Sequence, residues 1–182
     1  MKIERKPENF KEYVGCSDLL TAIEGVDAFL GALTIDIDAA GPASNKVKVP
    51  LSSWAIQNGW KKNRIIDASI PSGISNSIYK VNLLKDLPNN DCAHHHRIFF
   101  HCFFDNRQAI GTNILRLEFA IDNFQREKTK VGHAIALVVD SNMRSKYGWD
   151  NAVGTSDEYE FALKNPFKNY ARNSIDFWTI RA

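Results

Sequence analysis

Asp105 and Glu118 are the residues whose type and setting most suggest chemistry. Asp105 closes the hydrophobic run Arg97-Ile98-Phe99-Phe100-His101-Cys102-Phe103-Phe104, and Glu118 lies inside Ile114-Leu115-Arg116-Leu117-Glu118-Phe119-Ala120-Ile121. Both runs read as strands, the second by its alternation, and a loop with Gly111 between them predicts an antiparallel hairpin. Two carboxylates on adjacent strands are the minimum equipment for holding a divalent cation beside a phosphate. Metal-assisted displacement needs such ligands fixed on rigid elements to a fraction of an ångström. The plainer reading is that Asp105 opens an Asp-Asn turn and Glu118 faces solvent from an amphipathic strand.

The histidines make a rival claim. Cys92, His94, His95, His96, His101 and Cys102 fall within eleven residues, and imidazole with thiolate is what zinc prefers. Successive residues of an extended chain point to opposite faces, so His94 and His96 can share a metal while His95 cannot. No second, more distant ligand pair is evident, and histidines solvated at a strand entrance are the alternative. No phosphate-binding glycine loop or nucleophile elbow is present, which argues against nucleotide cofactors and covalent catalysis.

The elements that position these groups follow from periodicity. Asp18 to Leu33 reads as a helix with Ser17 as its cap, and Phe10 to Val14 as a shorter one. Pro50 to Trp60 reads as a short helix stopped by Asn58-Gly59. Residues 63–92 hold at most short strands, around Ile65 and from Ile78 to Leu84. A helix is expected from Asp122 or Asn123 to about Val131, capped by one of the first two, then a strand at His133 to Asp140 whose run Ala134-Ile135-Ala136-Leu137-Val138-Val139 suits burial on both faces. Another helix is expected from Ser156 to Leu163, and a last strand from Asp176 to Ile180. The fold class predicted is α/β: a mixed sheet in which an antiparallel hairpin feeds a right-handed parallel crossover, flanked by helices on both faces.

Composition bounds the rest. The chain has 182 residues, 44% of them hydrophobic and 11% aromatic, enough for one core and a single domain over 1–182. No apolar run reaches the roughly 20 residues of a membrane span, and no signal core follows the charged N-terminus, so a cytoplasmic protein is expected. Three cysteines without a Cys-x-x-Cys pair predict reduced, partly buried thiols. The net charge is only +2, but Lys61, Lys62 and Arg64, then Arg126, Lys128 and Lys130, then Arg144 and Lys146 form local basic clusters suited to phosphates or to a solvated face.

A strand ending in Asp, a turn, Glu on the next strand, a helix and a buried strand is the order of parts in the PD-(D/E)xK nucleases. The chain resembles the BglII and BamHI branch of the type II restriction endonucleases. The segments that carry the resemblance are Asn58-Gly59-Trp60-Lys61-Lys62-Asn63, Leu115 to Asn123, Ala134 to Val139, Thr155-Ser156-Asp157-Glu158-Tyr159-Glu160 and Phe177-Trp178-Thr179-Ile180. The resemblance implies Mg²⁺-dependent, sequence-specific hydrolysis of double-stranded DNA by a homodimer, with Asp105 and Glu118 as metal ligands. The family's next site position, two residues after the Glu, is here Ala120, and a methyl group can neither ligate a cation nor orient water. Glu127, Lys128 or Lys130, from the following helix, is expected to supply the missing group. Asn142, Arg144, Ser145 and Lys146, with Ser156 to Glu158, are expected to read bases, and Lys61, Lys62, Arg64 and Arg126 to contact DNA. Two alternatives are a non-catalytic nucleic-acid-binding protein on a nuclease-like fold, favoured by Ala120, and a zinc-binding protein built on the His94–His101 cluster.

Overall fold

A computed structural model describes residues 2–5, 16–36, 40–65, 79–88, 93–146, 148–171 and 175–181. In chain order the elements are β1 (Lys2–Arg5), α1 (Ser17–Ala32), α2 (Ala43–Gln57), β2 (Lys61–Ile65), β3 (Lys80–Leu87), β4 (His95–Cys102), α3 (Ile110–Phe124), β5 (Lys130–Val139), α4 (Ser141–Lys146), α5 (Ser156–Lys164) and β6 (Ile175–Arg181). The strands form one six-stranded sheet in the order β1-β6-β5-β4-β3-β2. β4, β5 and β6 are mutually parallel, and the outer pairs are antiparallel. This is the expected α/β class, with a mixed sheet between helical layers.

Alternation along β4 builds two cores at once. Ile98, Phe100, Cys102 and Phe104 join one cluster with Leu19, Ile23, Val26 and Leu30 of α1 and Val47 and Leu51 of α2. Phe99 and Phe103 join the other with Ile114, Leu117 and Ile121 of α3 and Tyr159 of α5. A strand covered on both faces reads as a continuous apolar run, as β5 does from Ala134 to Val139.

The hairpin and the crossover exist, but other segments make them. Residues 114–121, expected as a strand, lie inside α3, so the antiparallel hairpin is β3–β4 and the parallel crossover is β4-α3-β5. The run satisfied both periods. Ile114, Leu117, Ile121 and Phe124 recur at helical spacing and are buried, whereas Leu115 and Phe119, which alternation would group with Leu117 and Ile121, are exposed. The helix expected to end at about Val131 stops at Phe124, and β5 begins at Lys130. Gly132 allows this close return, since a Cβ there would lie 3.3 Å from the Ile121 backbone. α2 starts at Ala43, earlier than expected, and carries Pro50 within it. Ser17 is the first helical residue of α1, not its cap, which is Cys16 without a side-chain bond. The short helix at 10–14 and Ile78 lie outside the described residues.

The thiols depart from expectation as well. Cys16 is disulfide-bonded. Cys102 is free and buried, its thiol pushed up to about 12 by burial, and Cys92 lies outside the described residues. Among the described residues, no helix is long and apolar enough to cross a membrane.

Candidate functional site

The sheet changes character where β3 begins and β4 ends. Their ladder runs from Leu87–His96 to Leu83–Phe100 and then passes to side chains. The backbone N–H of Asn82 donates to His101 Nδ1 at 3.2 Å, and Asn82 Oδ1 accepts from the backbone N–H of Cys102 at 2.7 Å. Val81 and Leu83, two residues apart, consequently join opposite cores. A break of this kind re-aims side chains, and here it holds the His101 ring beneath α3.

From His101 a chain of polar contacts crosses the α3 layer. His101 Nε2 meets Arg116 Nη1, Arg116 Nη1 donates to Asn113 Oδ1 at 3.0 Å, and Asn113 Nδ2 donates to Tyr159 Oη at 2.9 Å. All four residues are buried, so β3, β4, α3 and α5 are cross-linked through polar groups in a low-dielectric interior. Asp105, half-buried just beyond β4, lies close enough to act electrostatically on Arg116 and Tyr159, and its carbonyl accepts from Gly154 N–H at 3.3 Å. Burial lowers the Arg116 pKa and the Asp105 charge pulls it back up; burial raises the Tyr159 phenol. On the other face of the sheet, Lys48 of α2 sets its Nζ 5.4 Å from the centroid of the Phe104 ring.

Burial holds the His101 imidazole well below its ordinary range, and the positive charges of Arg116 and Lys48 act in the same direction. Two N–H donors also converge on a ring that, when neutral, has one acceptor nitrogen. The unfolded chain therefore takes up protons near the ordinary histidine pKa of about 6.5 while the folded chain does not. Stability is complete above that pH and falls as the pH drops towards the folded-state value. His96, lowered first by burial and then by the charges of His94 and His95, adds to the same trend. Urea unfolding from about pH 8 to about pH 5 should show the loss, and His101→Asn should flatten its slope. A slope unchanged in that variant would contradict the assignment to His101.

The expected carboxylate pair does not form across adjacent strands. Glu118 is buried part-way along α3, and at 100° per residue it is turned about 200° from Arg116, the residue that faces the end of β4. Ala120 lies in the helix core rather than on a strand. Glu127, Lys128 and Lys130, expected to complete the site, are at the opposite end of the sheet. Lys130 pairs with His95 in the parallel register and bonds Glu127 at 2.6 Å. The whole of β4, seven steps from His95 to Cys102 or about 23 Å at 3.3 Å per residue, lies between that end and Asp105. Among the described residues, no group of three or more His, Cys, Asp or Glu converges to hold a metal ion.

The basic residues divide in the same way. Lys61, Lys62 and Arg64 are exposed on β2 at the sheet edge, with Lys61 paired to Asp86 at 3.0 Å. Arg126 and Lys128 occupy the turn before β5, whereas Asn142, Arg144, Ser145 and Lys146 lie on α4 beyond its other end. Arg144 is partly committed to structure, since it donates to the Val153 carbonyl at 3.0 Å. Glu158 closes the capping box of α5 with Thr155.

The histidine cluster also separates. His101 and Cys102 belong to opposite faces, and His101 lies five residues beyond His96 along β4. His96 pairs instead with His133 of β5, Nδ1 to Nε2 at 2.9 Å, with ring planes 14° apart and centroids 5.2 Å apart. Near-parallel rings with their nitrogens that close meet edge to edge, the geometry of a shared N–H···N bond. His94 stands beside His96 with ring centroids 6.4 Å apart, and His95 lies 3.5 Å from Asp86.

Sequence reading missed Asn82, Asn113, Arg116, Tyr159 and His133. The available signal was Asn113 and Arg116, which share one face at helical spacing only when 110–124 is read as a helix.

No protein-family model matches the chain, and no curated protein sequence does. A solved structure does match: restriction endonuclease BglII complexed with a DNA 16-mer, with a TM-score of 0.60 and 12% sequence identity. The match covers 100% of this chain and 76% of that one. The fold is therefore restriction-endonuclease-like, with its mixed sheet flanked by helices. The polar cluster of Asn82, His101 and Arg116 lies where its β3–β4 hairpin passes into the crossover.

Proposed function

We propose that the chain binds double-stranded DNA on its restriction-endonuclease-like fold. The observation that carries this reading is the likeness over the whole chain to an endonuclease whose structure includes a DNA 16-mer. Exposed Lys62 and Arg64 on the edge strand supply cations for phosphates. Incubation of labelled duplexes with the protein, in Mg²⁺ and in EDTA, tests the reading: a complex that forms in both and leaves the DNA intact is expected.

A second reading, Mg²⁺-dependent sequence-specific cleavage, draws on Asp105, whose charge lies near Arg116 at the carboxyl end of a parallel strand. There Asp105 would take the cation and Arg116 would steady developing negative charge on the phosphate. Discrete fragments in Mg²⁺, lost in EDTA and in Asp105→Ala, would favour this reading over the first.

A homodimer fits either reading, because a two-fold DNA site calls for a two-fold protein. Leu115 and Phe119 form an exposed apolar stripe on α3, and Phe161 is exposed across a cleft of about 800 Å³ between α3 and α5. Leu115→Glu should convert a dimer to a monomer in sedimentation velocity; a wild-type protein that sediments as a monomer would contradict the dimer.

A further inference from the structure

Three histidine rings meet where β4 and β5 begin. His94, just ahead of β4, and His96, its second residue, are two apart and so project to one side of the chain, with ring centroids 6.4 Å apart. We propose that these two rings chelate a divalent transition cation, Zn²⁺ or a neighbour in the first row, with His133 fixing the ring of His96. This site does not depend on the DNA-binding reading and lies at the far end of β4 from Asp105.

His96 commits one ring nitrogen to structure and keeps the other open. Its Nδ1 faces His133 Nε2 at 2.9 Å, and ring planes 14° apart with centroids 5.2 Å apart put both nitrogens on the line between the rings. That contact is a hydrogen bond, not two lone pairs converging on a metal. His96 Nε2 bonds no group among the described residues and is not buried, so it is open to a ligand. When His96 Nδ1–H donates to His133 Nε2, the lone pair of His96 Nε2 faces outward, and metal binding selects this tautomer. Metal-bound histidines characteristically use their second ring nitrogen in this way. His133 is buried on β5 opposite Ile98, which makes it a fixed acceptor. His94 is exposed and can turn: two imidazoles on one tetrahedral zinc hold their centroids about 5 Å apart, so its ring closes by about 1 Å. His95 takes no part, since it lies 3.5 Å from Asp86. The cations of this end, Arg97 and Lys130, are bonded to Asp86 and Glu127, which offsets their charge. No third protein ligand converges among the described residues, so water completes the coordination shell. Imidazole donors suit transition metals and not Mg²⁺ or Ca²⁺.

The test is a titration of the full chain, free of any affinity tag, with ZnCl₂, followed through the histidine side chains by ¹H–¹⁵N NMR. One Zn²⁺ per chain should move the His94 and His96 ring nitrogens saturably, while Mg²⁺ should leave them in place. His94→Ala, at an exposed position where the fold tolerates the change, should abolish the saturable shift. His133→Phe should weaken Zn²⁺ binding by about 10–100-fold. His133→Gln, whose amide oxygen can accept the same N–H, should restore affinity close to that of wild type, a rescue that a merely space-filling role for His133 would not give. Circular dichroism checks the fold of each variant, and His94→Ala decides the site by itself if His133→Phe does not fold. The proposal is overturned if Zn²⁺ gives no saturable shift, if Mg²⁺ moves the same signals, if His94→Ala binds Zn²⁺ like wild type, or if folded His133→Phe does.

Discussion

Phe103→Ala is expected to cost about 3–5 kcal/mol of folding free energy, the range for truncating a fully buried aromatic ring. Phe103 has no exposed surface and contacts Tyr159, Phe177 and His101, with ring centroids 4.9, 6.1 and 5.7 Å away. It therefore supports the hydrogen-bonded line as well as the apolar core. Removing the ring loses its transfer free energy and leaves a cavity beside the Asn113–Tyr159 bond, so the lost packing and the loosened polar network act together. Urea unfolding at neutral pH measures the cost from the shift in midpoint. Phe119→Ala is the control, because Phe119 is 39% exposed on α3 and should cost far less. Equal losses in the two variants would mean that α3 does not sit on the sheet as described.

Replacing Lys62 and Arg64 together by alanine should lower the salt slope of DNA binding by about two, one for each phosphate contact removed. Both side chains are exposed on β2, so the fold should tolerate their loss. Lys61 is a poorer choice, since its ammonium bonds Asp86, which also accepts from Arg97 Nε at 2.5 Å. The expected weakening is similar for every duplex sequence, because phosphate contacts carry no base information. A matched double substitution of Arg126 and Lys128 at the far end of β5 reports on the other basic cluster. If that pair alone changes the slope, DNA lies across the opposite end of the sheet from α4.

The layers were legible in the sequence and the site was not. α1 and α5 carry the helical period, and β5 and β6 are short apolar runs that suit strands covered on both faces, so burial could be read directly from them. Residues 114–121 carry both periods, and choosing alternation converted a crossover helix into a strand. That choice moved Glu118 onto a strand and put it beside Asp105. It also displaced the following helix onto what is in fact a turn and the first residues of β5, which brought Glu127, Lys128 and Lys130 to the wrong end of the sheet. Asn82 and His101 were not visible as partners because nineteen positions separate them and their contact depends on a broken ladder. His133 lay outside the histidine run and became its partner only through the parallel register of β4 with β5.

We propose that this restriction-endonuclease-like fold binds duplex DNA. Its most direct test is the equilibrium affinity of the wild-type protein for a mixed-sequence duplex, measured by fluorescence anisotropy as salt rises from about 50 to about 200 mM. Saturable binding is expected in EDTA, with an association constant whose logarithm falls linearly with the logarithm of the salt concentration. Absence of saturable binding at the low-salt end, with or without Mg²⁺, would contradict it.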